Sequence, residues 1–275
     1  MISRRRKKSI FQLIPFNRIN ISKRQKFVIA VIILSCGLFF SEFLLGRSGF
    51  YIAFTLSFLS SFLLFWTNHK DIRENFTLSI FILPFFYSLA FALFYFLVPN
   101  RLLARIGITS LYAIGLYSLF LSQNIFTVAS IRTIALLSSA RTVSFVLTLV
   151  TYFFLSNIVF SLDLSIMFTS ALLFIFTYFL TTHSIWTYTL NKSLFSEYFW
   201  VIVLSVCILE LSLILWFWPS NPTIIALFLT GFFYTVIGLS HVWFEKRLFR
   251  GVMWEYIWVG VVVSLILILS TSWKG

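Results

Sequence analysis

The sequence predicts an all-α fold, a polytopic bundle of about nine transmembrane helices with the N-terminus cytoplasmic and the C-terminus outside. Three observations carry this. Of 275 residues, 60% are hydrophobic and 11% charged, with a mean hydropathy of +0.99, whereas soluble domains are roughly half apolar and a quarter charged. The apolar residues fall into runs of about 20, enough at 1.5 Å per residue to cross a hydrocarbon core of about 30 Å. Finally, 17 of the 21 Lys and Arg residues fall on segments that alternation places on one side, leaving Arg47, Arg101, Arg105 and Lys274 on the other. Positive charge marks the cytoplasmic side.

Residues 1–26 form a basic cytoplasmic arm containing Arg4, Arg5, Arg6, Lys7, Lys8, Arg18, Lys23, Arg24 and Lys26. Such an arm orients the first span and holds anionic lipid headgroups at about 1 kcal/mol per basic residue. No aromatic binding platform accompanies it, so no specific nucleic-acid partner is expected. The apolar run after Lys26 has no A-x-A-like end and reads as an uncleaved first span.

The transmembrane domain, 27–275, then divides into spans near 27–45, 50–67, 78–98, 104–122, 143–160, 164–185, 198–218, 222–241 and 256–272. Outer breaks are short turns such as Pro219-Ser220-Asn221-Pro222, with Pro222 placed for the first turn of span eight. Inner loops are too short to fold alone. Near 125–142 an inner connector carries helix-spaced apolar residues (Val128, Ile131, Ile134, Ala135, Leu137) beside Ser130, Arg132, Ser139 and Arg141. It suits an amphipathic helix lying in the inner interface or extending span five, with Arg132 and Arg141 at headgroups or docking a partner. Counting this stretch as a tenth span buries Arg132 and moves Lys192, Lys246, Arg247 and Arg250 outside, so nine spans fit better.

Glu210 stands near the middle of the otherwise apolar run 198–218. A carboxyl at that depth costs several kcal/mol and by default faces the bundle interior. The expected state is a neutral acid hydrogen-bonded between spans, with Thr230, Tyr234, Thr169, Ser170 and Tyr112 as partners at similar depth. Proton or cation coupling is the sharper alternative. Glu42 lies near the outer end of span one, five residues from Arg47, and reads as an interfacial ion pair. His183 and His241, with His69, fall at inner ends of spans two, six and eight, where interfacial docking is the ordinary role. Metal-ligand spacings such as H-E-x-x-H are missing, so no metal and no cofactor are expected.

Motif absences narrow function. The chain carries neither a G-x-S-x-G nucleophile nor a P-loop nor an aspartate cluster for Mg²⁺. Few glycines or prolines interrupt the spans, unlike transporters built on broken helices. Cys36 and Cys207 lie inside apolar runs and form no disulfide framework. The composition therefore favours a non-catalytic subunit or scaffold of the cell membrane that binds a membrane protein or lipid. A small-solute or lipid transporter using Glu210 is the alternative, and an intramembrane enzyme acting on a lipid-linked substrate through the inner histidines is the third reading.

Overall fold

The computed structural model describes residues 22–45, 49–74, 77–98, 101–129, 135–190 and 197–271. Among these residues there are nine helices and no strand: α1 (Lys23–Leu45), α2 (Gly49–Glu74), α3 (Ser79–Leu97), α4 (Leu102–Ala129), α5 (Leu137–Ser161), α6 (Ile166–Thr189), α7 (Tyr198–Trp216), α8 (Pro222–Phe244) and α9 (Arg250–Leu269). Each is long and apolar enough to cross a bilayer. A spanning backbone has no water to bond, so it satisfies its N–H and C=O groups internally, and the helix does this within one segment. The protein is thus an all-α, multi-pass integral membrane protein. Its two ends are called here the arm end, where α1 begins, and the far end.

The predicted runs and the helices coincide, with Pro222 opening α8 as expected. The connector near 125–142 is shared between its neighbours: α4 runs on to Ala129, and α5 starts at Leu137. Extending an existing helix adds one bond per residue, whereas a separate interfacial helix needs a new nucleus. Residues 130–134, Arg132 among them, lie outside the described residues, as do residues 1–21 of the arm.

α3 and α5 are central. α3 packs on α2, α4, α5 and α6, and α5 packs on α3, α4, α6 and α8. α1 and α2 close one flank, while α7 leans on α6 and α8, and α9 on α8. Leu267 is the single buried residue of α9. Many hydroxyls inside the bundle return to their own helices: Ser57 Oγ donates to the Ala53 carbonyl at 2.7 Å, and Thr148 Oγ1 to the Ser144 carbonyl at 2.8 Å. This back-bonding lets a polar side chain sit in an apolar helix without an orphaned donor.

Aromatic contacts fix the centre. Tyr87 of α3 and Tyr112 of α4 stack with centroids 5.7 Å apart. The Tyr87 hydroxyl donates to the Leu111 carbonyl at 3.2 Å, and Ser88 Oγ lies 3.0 Å from Tyr112 Oη. Gly115 makes this possible, because a Cβ there would meet the Tyr87 hydroxyl and Cζ. Gly107, two turns earlier, faces open space. Gly115→Ala should therefore destabilise the bundle by about 1–3 kcal/mol through overpacking, whereas Gly107→Ala should be neutral or stabilise by up to about 1 kcal/mol through helix propensity. Thermal unfolding of the two variants in detergent checks this; equal melting would contradict the packing role given to Gly115.

Candidate functional site

Three residues singled out from the sequence, His183, His241 and Arg141, meet at the arm end. His183 lies in a wholly buried stretch of α6, Leu180–Thr187, and is itself 0% exposed. Its Nδ1 is 2.8 Å from the carbonyl oxygen of Ser79 on α3. A carbonyl only accepts, so Nδ1 carries the hydrogen and Nε2 is the acceptor. Two donors approach Nε2: Ser144 Oγ of α5 at 3.2 Å and Gln123 Nε2 of α4 at 3.3 Å. One imidazole thus ties four helices together.

The next residue, Ser184, places its Oγ 2.9 Å from His241 Nε2 on α8. His241, 4% exposed, stacks on Tyr188 at 4.0 Å and meets the edge of Phe145 at 4.8 Å. Arg141 of α5 donates from Nε to the Thr187 carbonyl at 3.0 Å and from Nη2 to the Tyr188 carbonyl at 3.1 Å. These are among the last carbonyls of α6, which lack intrahelical partners, and a cation there also complements the helix dipole. The Arg141 guanidinium lies 4.6 Å from the Tyr188 ring centroid, and its Nη1 reaches Glu245 Oε1 at 3.4 Å. Leu190, at φ 49, then turns the chain away from α6.

Chemically this cluster is a lock. His183 is buried with both ring nitrogens engaged by the protein and His241 with its Nε2 held by Ser184, an arrangement suited to holding helix ends together. Among the described residues no three His, Cys, Asp or Glu side chains converge as metal ligands do. Arg141, expected in an amphipathic connector, serves as the cap of α6 instead, because α5 begins early enough to carry it inward.

Glu210 departs from the expectation. It is exposed on the outside of the bundle, and it makes no hydrogen bond or ion pair among the described residues. The packed face of α7 is Val201, Ser205, Ile208, Ser212 and Leu215. Two serines on that seam let α7 approach its neighbours closely, and this turns Glu210 outward. The expected partners are otherwise engaged: Thr230 Oγ1 donates to the Ala226 carbonyl at 2.7 Å, and the Tyr234 ring stacks on Phe145 at 5.8 Å. Thr169 and Ser170 bond to backbone carbonyls of Leu164 and Met167, and Tyr112 pairs with Ser88. Glu42 belongs to α1, but its side chain and Arg47 lie outside the described residues.

Sequence reasoning passed over Ser79, Gln123, Ser144, Ser184 and Tyr188. A signal was present: the polar clusters Thr181-Thr182-His183-Ser184 and Ser122-Gln123-Asn124 both lie at arm ends of apolar runs. His183→Leu should cost about 1–3 kcal/mol by leaving the Gln123 amide without its partner. Arg141→Lys, which keeps the charge and loses the forked geometry, should cost about 1–2 kcal/mol. Thermal unfolding in detergent measures both, and wild-type melting of His183→Leu would contradict the lock.

No curated protein matches the chain, and no solved structure matches it. A family model matches nearly the whole membrane domain, residues 27–270, and on that extent the chain belongs to the family described as "Protein of unknown function (DUF5656)".

Proposed function

We propose that the protein is a non-catalytic subunit of the cell membrane, inserted with its N-terminus in the cytoplasm, that binds a transmembrane helix of a partner membrane protein along α7. The observation that carries the proposal is Glu210 itself. It lies three residues past Cys207, the middle of α7, and thus about 9 Å short of the Trp216 end at 1.5 Å per residue. Helix Cβ atoms tilt toward the helix N-terminus, so the carboxyl leans toward the bilayer centre and cannot readily snorkel to the nearer surface. A carboxyl held there against lipid costs several kcal/mol, and a donor from another helix removes that cost.

The residues around it support a helical occupant. Val203, Cys207, Glu210 and Ile214, all exposed, are spaced four, three and four residues apart. This is the heptad seam on which two helices pack, and the buried face of α7 repeats the same spacing toward α6 and α8. A second copy is the weaker occupant, because a symmetric parallel contact sets one Glu210 carboxyl against the other. A helix bearing Lys, Arg, His, Asn or Gln at matching depth answers the chemistry. A transporter reading places a polar cavity at Glu210, yet this face opens outward from the bundle.

The test uses Cys207, exposed and one turn from Glu210, in the Cys36→Ser background. Cross-linking through Cys207 in native membranes should give a single adduct, and mass spectrometry should map it to a partner transmembrane helix carrying a hydrogen-bond donor. Glu210→Leu should reduce the adduct about tenfold, the loss of roughly 1.4 kcal/mol. An adduct of twice the chain mass would replace the partner with a second copy. An adduct unaffected by Glu210→Leu, or none, would sink the proposal.

A further inference from the structure

At the far end, the turn between α5 and α6 and the turn between α7 and α8 line a half-open cavity of about 270 Å³. Phe160, Asp163, Thr169, Trp216, Trp218 and Ser220 are in its lining. Ligand pockets for drug-sized molecules begin near about 300 Å³, so this one fits a small group.

The lining has a consistent chemistry. Trp216 Nε1 donates to the Leu164 carbonyl at 3.3 Å, and Trp218 Nε1 donates to Thr271 Oγ1 at 2.7 Å. With both indole N–H groups engaged elsewhere, the rings offer the cavity carbon and π-density. Asp163 adds an exposed carboxylate that makes no ion pair among the described residues. It does so from φ 46, a left-handed conformation for which glycine is the least strained residue. The turn joins the C-terminus of α5 to the N-terminus of α6, so the two helix dipoles offset one another and do not neutralise the charge.

We propose that this cavity binds an alkylammonium group, with the tryptophans against its methyl or methylene carbons and Asp163 facing its charge. Aromatic faces beside a carboxylate attract such cations more strongly as water is excluded. The group has two sources, a free amine such as choline or the headgroup of a phospholipid. Trp216 and Trp218 at a helix end place the cavity near headgroup level, where both are available.

The experiment uses the full chain in nanodiscs of phosphatidylglycerol, which has no ammonium. Saturation-transfer NMR then follows choline and its neutral isostere 3,3-dimethyl-1-butanol. Choline should bind saturably and the isostere should not, and Asp163→Asn should weaken choline by about tenfold. Asp163→Gly relieves the left-handed turn, so it should melt at or above wild type and lose binding equally; this separates a ligand role from a turn role. In the second arm, native mass spectrometry follows lipid retained from nanodiscs of mixed phosphatidylcholine and phosphatidylglycerol. Asp163-dependent retention of phosphatidylcholine, without binding of free choline, supports the proposal with lipid as the source. Equal binding of the neutral isostere, choline binding or lipid retention unchanged by both Asp163 substitutions, or no signal in either arm, would overturn it.

Discussion

Everything in this molecule depends on the cost of leaving a polar group without a partner in hydrocarbon. The backbone meets that cost by staying helical through nine spans among the described residues. Serine and threonine meet it by bonding back to their own helices, as Thr230 does to the Ala226 carbonyl. His183 meets it by recruiting Ser79, Ser144 and Gln123 from three other helices. The same constraint makes exceptions informative. Gln123 Oε1 and Ser79 Oγ, both beside His183, are buried without partners among the described residues, and Glu210 is unpartnered on the surface of the bundle.

The constraint divides the bundle into a finished centre and an unfinished edge. At the centre, α3 and α5 are surrounded, their tyrosines bonded and their small residues filled by neighbours. At the arm end the Arg141 guanidinium closes α6 from α5 and reaches Glu245 just after α8, so three helix ends are fixed together. At the edge, α7 and α9 contact few neighbours and expose apolar side chains along their length, among them Ile214, Trp258 and Leu265. Lipid suits such a surface, but it does not suit the carboxyl of Glu210. For this reason the edge, and not the histidine cluster, carries the functional reading.

Much of the fold was legible because hydropathy and charge asymmetry are properties of single segments. The spans and the turn at Pro222 follow from length and composition alone. What the sequence left open was which face of each helix points inward. The cost of a carboxyl in lipid marks Glu210 as facing the interior. The packed face is instead marked by Ser205 and Ser212, seven residues apart, because close approach of helices is decided by small residues. The partners of His183 and His241 come from α3, α4, α5 and α6, a pairing that no local spacing encodes. The connector admits both an interfacial helix and an extension of span five because one apolar periodicity serves either, and α5 starts at Leu137.

Glu210 therefore moves from the interior, where its cost in lipid predicts it, to the outward face of α7, and the proposed partner helix is read from that position. The most direct measurement is the environment of Cys207, its neighbour on the exposed seam. In the Cys36→Ser background a nitroxide at Cys207 reports mobility and oxygen accessibility in native membranes, compared with pure-lipid nanodiscs. A partner helix against α7 predicts a label that is immobilised and shielded from oxygen in native membranes and becomes mobile and accessible in pure lipid. A label equally mobile and oxygen-accessible in both would mean that α7 faces lipid in the cell, and would contradict the account.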